Sequence, residues 1–191
     1  MTATITARIG PNAIIQMGEA LSARKEEARA AQIYGRAGLL PYLAHPPEAM
    51  VDEGEVARLF KAVSDEADPQ AARALFADAG RRTGRYILAN RIPAFARALL
   101  PRLPRALAMR ILLKAISKHA WTFAGTGHVT YRTGSPASIT ISENPIATSL
   151  GCIWHTAVFE TIFSALINGP VKVCETACRC GVDHHCIFEI S

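Results

Sequence analysis

The chain has 191 residues, half of them apolar, which is enough for one domain with a hydrophobic core and excludes a chain that is disordered overall. Its formal net charge is +5, but eleven Lys or Arg and a single acid, Glu143, lie within residues 79–144. This basic stretch favours anionic partners such as carboxylate-bearing ligands, acidic protein faces or lipid head groups; the alternative is a solvated face. Nucleic acid is the weakest partner, because no helix-turn-helix or Cys2His2 spacing is recognisable and the stretch lacks the interleaved aromatic residues of a single-strand binder.

Helices are predicted in the first third of the chain. An apolar pattern at helical spacing follows Pro11 and predicts an amphipathic helix that ends near Gly35 or Gly38. Three prolines then predict a connection over residues 39–52. A short helix is expected over residues 53–63.

The next predicted helix begins at Asp68 and Pro69, which form an N-cap and first-turn pair, and runs toward Ala89. Gly80 and Gly84 lie four residues apart within it. Such a pair lets another backbone approach closely, although two glycines can also simply weaken a helix.

A basic amphipathic helix is predicted after Pro104. Arg110, Lys114 and Lys118 recur every four residues and therefore line one face, opposite the apolar one. A surface helix of a globular domain explains this pattern, and docking to an acidic partner or a membrane surface is the alternative. No apolar run has the roughly 18 to 20 residues of a membrane span, so we expect a soluble or peripheral protein.

Short alternating segments dominate the remainder and predict strands around one long helix. The predicted strands are residues 119–123, 127–133, 137–142, 171–176 and 186–190, and the predicted helix is residues 151–167. A block of helices followed by antiparallel strands indicates an α+β fold, with N-terminal helices packed on an antiparallel sheet, a long helix and a C-terminal metal-binding loop.

All five cysteines lie in the last forty residues, close to one glutamate and two histidines. The residues are Cys152, Cys174, Glu175, Cys178, Cys180, His184, His185 and Cys186. Such a group indicates a metal site or disulfides. The count of cysteines is odd, and no secretory signal pattern opens the chain, so we expect a reducing cytoplasm and favour zinc. Strand alternation puts Cys174 and Glu175 on opposite faces, so at most one of them should face a single metal ion.

The spacing of four of these residues resembles the 4-vinyl reductase domain family, a small α+β ligand-binding module. A cysteine opens the long helix (Cys152), and a glutamate (Glu175) is followed after three residues by Cys178 and after eight more by Cys186, before an apolar pair. In relatives these four positions bind a structural zinc ion. The resemblance therefore implies the same four ligands here, with the remaining cysteines and histidines outside the metal's coordination sphere.

The resemblance extends over most of the chain, so we expect residues 1–191 to form a single domain, with a helical part in residues 1–65 and the ligand- and zinc-binding part in residues 66–191. Free-standing members belong to bacteriochlorophyll biosynthesis. The resemblance thus implies a carrier that binds a magnesium tetrapyrrole, a porphyrin or chlorophyllide, and presents it to enzymes of the pathway. A cytoplasmic protein, peripheral to the inner membrane, and a homodimer are further expectations.

Two other functions stay open. The first is reduction of the vinyl group of a divinyl chlorophyllide, but the chain has no dinucleotide-binding glycine motif and no convincing iron–sulfur spacing, and a zinc ion with four protein ligands has no open position. The second is a small-molecule sensor or an assembly adaptor, because related domains serve in both.

The contacts to a macrocycle are predicted from residue types alone. A flat apolar ring with carboxylate substituents requires aromatic walls, cations at its edge and, for some central metals, an imidazole. The candidate residues are His119, Trp121, Phe123 and His128, together with Arg110 and Lys114. Each can equally be a structural residue.

Overall fold

The computed structural model describes residues 7–179 and 185–191 of the chain. Its elements in chain order are β1 (Arg8–Ile9), α1 (Asn12–Ser22), α2 (Glu27–Arg36), α3 (Pro41–Ala44), β2 (Val51–Asp52), α4 (Glu53–Ser64), α5 (Pro69–Asn90), α6 (Ala94–Leu99), a 3₁₀ turn (Leu100–Arg102), α7 (Arg105–Lys118), α8 (Trp121–Ala124), β3 (His128–Arg132), β4 (Ala137–Ser142), α9 (Ile153–Leu166), β5 (Val173–Arg179) and β6 (His185–Ile190). Helices and antiparallel strands make this an α+β fold, as the sequence predicts.

The first helical segment is two helices, so the prediction of one continuous helix is wrong. Lys25 adopts a left-handed backbone conformation with a φ of 58°, and the N–H of Glu26 donates to the Leu21 carbonyl. This turn separates α1 from α2 and lets both helices bury an apolar face in one core. The Tyr34 hydroxyl of α2 donates to the Ile14 carbonyl of α1 over 2.5 Å. Burial of both faces outweighs the modest cost of one left-handed residue.

The segment predicted as a plain connection, residues 39–52, contains α3 and β2. Strand β2 pairs antiparallel with β1, and Ile9 lies opposite Val51. Both side chains are buried, which fixes the first described strand to the core. The helix predicted from residue 53 is confirmed as α4, and the Asp52 carboxylate caps it by accepting from the Gly54 N–H over 2.8 Å.

Helices α5 and α9 pack closely along one seam. Asp68 caps α5 as predicted, because its Oδ1 accepts from two backbone N–H groups of the first turn. A Cβ atom at Gly80 would lie 2.5 Å from the Trp154 carbonyl oxygen, and one at Gly84 would lie 2.7 Å from the Thr161 Cβ. The two glycines therefore allow the close approach that their spacing predicts.

The main sheet has four antiparallel strands in the order β3-β4-β6-β5. Residues alternate between buried and partly exposed positions along β4 and β6, and Ile139 lies opposite Phe188 on the buried face. Helix α9 packs on this face, with Phe159 and Phe188 rings 5.2 Å apart. The N-terminal helix α1 packs on α5, so α9 is the helix that lies between the helical layer and the sheet.

The segment predicted as a first strand, residues 119–123, is helical, and that prediction is wrong. The N–H of Thr122 donates to the His119 carbonyl over 3.0 Å, and its hydroxyl donates to the same oxygen over 2.7 Å. Local hydrogen bonds to the end of α7 thus outweigh the β-propensity of the aromatic residues. Among the described helices, none combines the length and the apolar character needed to cross a bilayer.

Candidate functional site

A β-bulge in β5 sets the geometry of the cysteine cluster. Glu175 pairs with Phe188 and Cys178 pairs with Cys186, with a register shift between these pairs that leaves Thr176 as the extra residue. Phe188 and Cys186 are two residues apart and share the buried face of β6. Directly paired residues lie on the same face of a sheet, so Glu175 and Cys178 both face that side.

Cys152 reaches the same place from the start of α9. Gly151 precedes it with a φ of 93°, a conformation that favours glycine. Both carboxylate oxygens of Glu175 accept from the Cys152 N–H, over 2.9 and 3.0 Å. A Cβ atom at Gly151 would lie 2.6 Å from a Glu175 oxygen, so the glycine also makes room for the carboxylate.

Four potential ligand atoms converge here, from Cys152, Glu175, Cys178 and Cys186, all within 4.8 Å of one another. The Cys178 sulfur lies 3.9 Å from that of Cys152 and 3.7 Å from that of Cys186. A tetrahedral zinc ion with Zn–S bonds of about 2.3 Å separates two sulfurs by about 3.8 Å. The donor set and these two sulfur–sulfur separations therefore fit a metal ion of the zinc type.

The sulfurs of Cys152 and Cys186 are also in direct contact, so a disulfide between these two residues is the alternative chemistry. Their Cα atoms are 6.9 Å apart, at the outer end of the range that disulfides span. A disulfide would leave the convergence of Glu175 and Cys178 on the same point unexplained. The four-ligand arrangement accounts for all four side chains.

Asn144 is a polar residue of this site that the sequence analysis missed. It is buried, and its side-chain N–H group donates to the sulfurs of Cys152 and Cys186 over 3.3 and 3.4 Å. Its Oδ1 accepts from the Ile146 N–H over 3.2 Å, which fixes the amide orientation. Donors aimed at sulfur stabilise thiolates, the form that binds metals. The signal in the sequence is weak: an asparagine just after a predicted strand.

The other candidate ligands lie elsewhere. Cys174 pairs with Glu189 and faces away from the cluster, as strand alternation predicts. His185 alternates with Cys186 along β6 and is paired with Ser142. Cys180 and His184 lie outside the described residues.

A cavity of about 580 Å³ lies between α5, α7, α8 and α9. Its lining is mostly apolar and includes two tryptophans and two phenylalanines. The lining residues are Gly10, Pro11, Asn12, Ala13, Met50, Thr83, Ile87, Arg91, Ile92, Pro93, Ala96, Leu100, Ile111, Leu112, Ala115, Ile116, His119, Trp121, Thr122, Phe123, Trp154, His155, Val158, Phe159, Ile162 and Leu166. This volume and composition are typical of a site for one small organic molecule.

The predicted macrocycle contacts divide into two groups. His119, Trp121 and Phe123 line the cavity. In contrast, His128, Arg110 and Lys114 are exposed and are not part of its lining. Among the described residues, Arg91 is the Lys or Arg side chain that lines the cavity, and it was not predicted because nothing in its local pattern separates it from the other arginines.

Two polar side chains of α9 also line the cavity. His155 is fully buried, and its burial lowers the pKa to about 4, although its Nε2–H donation to the Phe123 carbonyl over 3.3 Å partly opposes that shift. The imidazole is therefore neutral near pH 7. The indole N–H of Trp154 is buried and has no hydrogen-bond acceptor within the described part of the chain. Both residues form part of the cavity wall.

Two known proteins resemble the chain over nearly its whole length. The bacteriochlorophyll synthase 23 kDa chain of Cereibacter sphaeroides is 40% identical, with 97% of this chain and 91% of that protein covered. The protein of the same name from Rhodobacter capsulatus is 37% identical, with 96% and 86% covered. No protein-family model matches the chain.

Among solved structures, the fold resembles a chain from work described as "Probing the function of heme distortion in the H-NOX family". The TM-score is 0.60, with 96% of this chain and 94% of that chain covered, at 10% identity. This likeness concerns the fold alone.

Proposed function

Since the chain belongs to the family of the bacteriochlorophyll synthase 23 kDa chains, we propose that it works in bacteriochlorophyll biosynthesis by binding a magnesium tetrapyrrole and presenting it to enzymes of the pathway. The single observation that carries this proposal is the apolar cavity beside α9. The intermediates of this pathway include magnesium porphyrins and chlorophyllides. Such flat, largely apolar molecules suit a mostly apolar cavity.

The lining of the cavity suits a flat aromatic ligand with acidic substituents. Trp121, Phe123 and Phe159 supply aromatic surface for a conjugated ring. Arg91 and His119 are exposed members of the lining, so they lie at its mouth, where the carboxylates of a macrocycle would stay close to water. Deeper in, the neutral imidazole of His155 adds a polar atom without adding charge.

The composition of the lining favours binding over chemistry. Among the described lining residues there is no carboxylate, thiol or phenol, and the basic side chains are those of His119, His155 and Arg91. Reduction of a vinyl group needs a source of hydride or electrons, and no such source is apparent in the sequence. A carrier needs neither.

The metal site has a structural role in this proposal. Cys152, Glu175, Cys178 and Cys186 would hold one zinc ion, which would supply a rigid, closed cross-link rather than a reactive position. The cross-link would join the end of the sheet to the start of α9. Trp154 follows Cys152 by two residues, so the metal would fix the helix that forms one cavity wall.

The proposal is tested by filling the cavity without disturbing the fold. Ala115 and Ala106 are both exposed alanines of α7, but only Ala115 lines the cavity. Ala115→Trp should weaken binding of magnesium protoporphyrin IX, followed by absorbance, by at least about tenfold, whereas Ala106→Trp should leave it unchanged. Equal affinities of the two variants, or no binding by the parent protein, would contradict the proposal.

A second assay distinguishes a carrier from a reductase. A divinyl chlorophyllide and a nicotinamide donor are added to protein that carries no magnesium protoporphyrin IX, and the absorbance of the vinyl-conjugated ring is followed. We expect no change above a control without protein. Turnover by the isolated chain would instead support the divinyl reductase function.

A further inference from the structure

We propose that the face formed by α6, α7 and α8 docks on an anionic lipid surface and that the cavity opens toward that surface. This inference goes beyond pigment binding. It rests on the combination of exposed apolar side chains, unpaired cations and the position of the cavity mouth.

Exposed apolar side chains are concentrated in one segment of the chain. Among the described residues, five of the eight large apolar side chains with high exposure lie between residues 95 and 121: Phe95, Leu99, Leu107, Ile111 and Trp121. Phe95 is 73% exposed and Trp121 is 58% exposed. Single exposed apolar residues are ordinary, but a concentration of them in one segment marks an interaction surface. Trp and Phe are the residues that insert at a membrane interface.

The same segment is strongly basic. Residues 91–118 carry seven Lys or Arg and no Asp or Glu. Arg105 donates to the carbonyls of Asn168 and Pro170, so it has a structural role. The side chains of Arg97, Lys114 and Lys118 take part in no hydrogen bond or ion pair within residues 7–179 and 185–191. Free cations beside apolar side chains complement the head groups of anionic lipids.

The arrangement of α7 brings the two features together. At 100° per residue, Leu107, Ile111, Lys114 and Lys118 fall within one exposed sector, opposite the buried Leu112. The two lysine side chains are long enough to reach lipid phosphates while the leucine and isoleucine side chains contact the boundary of the acyl chains.

The cavity mouth lies on this face. Ile111 and Trp121 line the cavity and are exposed, and Ala96 of α6 lines it as well. A face that holds both the apolar patch and the cavity mouth would give a lipophilic ligand a path from the bilayer into the protein. An acidic protein partner would explain the cations, but it would not require the exposed apolar side chains beside them.

The test uses ligand-free protein, so that its outcome is independent of pigment binding. The protein is sedimented with vesicles of phosphatidylcholine alone or of phosphatidylcholine with phosphatidylglycerol. We expect binding to the anionic vesicles, little binding to the neutral ones and release by high salt. The absence of vesicle binding, or equal binding to both vesicles, would overturn the proposal even if the pigment binds in solution.

Paired variants identify the face. Phe95→Ser with Trp121→Ser, and separately Arg97→Gln with Lys114→Gln, should each lower partitioning onto anionic vesicles by about tenfold or more. Leu40→Ser with Leu43→Ser removes exposed apolar side chains in α3 and at the position just before it, and serves as the control, with no expected change. Circular dichroism confirms folding of each variant. Equal losses in the α3 control and the Phe95 variant would contradict the assignment of the face.

Discussion

Glu175 and Cys178 face the same side of strand β5 although three positions separate them, because a β-bulge at Thr176 adds one residue to β5 between them. In a regular strand this spacing would place the two side chains on opposite faces. The bulge thus determines whether a carboxylate and a thiol can meet at one metal ion.

The two described cysteines of β5 give a matched test of the metal site. Cys178 faces the cluster and Cys174 faces away from it. Cys178→Ser should lower the zinc content from about one ion per chain and reduce the free energy of unfolding by several kcal/mol, because metal binding contributes to folding. Cys174→Ser should change neither quantity appreciably. Elemental analysis and urea unfolding provide the measurements.

The same pair of variants separates the metal from the disulfide. If a Cys152–Cys186 disulfide were the stabilising element, the Cys178→Ser protein would keep its stability and would lose it on addition of a reductant. A full zinc complement in the Cys178→Ser protein would also contradict the four-ligand site.

Asn144 should raise the zinc affinity of the metal site without being a ligand. Loss of its N–H donation to two sulfurs in Asn144→Ala should lower zinc affinity by roughly tenfold to a hundredfold, as measured by competition with a chelator. Asn90→Ala is the control, because Asn90 also donates a side-chain N–H, to the Tyr86 carbonyl, but lies on exposed α5 surface. Equal zinc affinities of the two variants would show that the amide has no role at the metal.

Two glycine substitutions should have opposite effects on stability, because Gly80 lies in the close packing of α5 on α9 and Gly35 lies at an open position of α2. Gly80→Ala places a methyl group against the Trp154 backbone and should destabilise the protein by about 1–3 kcal/mol or more. Gly35→Ala lies in α2 with nothing within 4 Å of the new methyl group, and it should stabilise by up to about 1 kcal/mol. Urea unfolding of both variants checks the signs. A neutral Gly80→Ala would contradict the close packing.

The buried imidazole of His155 predicts a pH dependence of stability. Burial lowers its pKa to about 4, whereas an unfolded chain binds the proton near pH 6.5. Between these values the unfolded state binds more protons, so the free energy of unfolding should fall by up to about 3 kcal/mol as the pH drops from 6.5 to 4.

His155→Phe should remove this component, while His128→Gln, at an exposed position, should retain it. Because acid also protonates metal ligands, the informative quantity is the difference between the variant and parent curves. Parallel curves over this pH range would show that His155 is not buried in a neutral form.

Local patterns were sufficient for much of the fold. The cap at Asp68 and the glycine pair of α5 depend on residues close in sequence, and both are found in the structure. Alternation along β4 is equally local. The four clustered residues were anticipated through the family resemblance, whose spacing already contains the effect of the bulge.

Features that depend on distant contacts were not predictable. The bulge at Thr176 is visible only from the register with β6. Asn144 reaches the sulfurs because the end of β4 lies beside α9, a tertiary relationship. Arg91 belongs to the cavity because several helices meet there, whereas Arg110, which has the same local character, points elsewhere.

The most direct test of the account uses the two tryptophans of the chain, Trp121 and Trp154, as probes, because both line the cavity. Magnesium protoporphyrin IX is titrated into the zinc-loaded protein while tryptophan emission is followed. We expect quenching of nearly all emission, saturating at about one macrocycle per chain. Saturable binding that leaves tryptophan emission unchanged would place the ligand outside the cavity, and the absence of binding would contradict the proposed function.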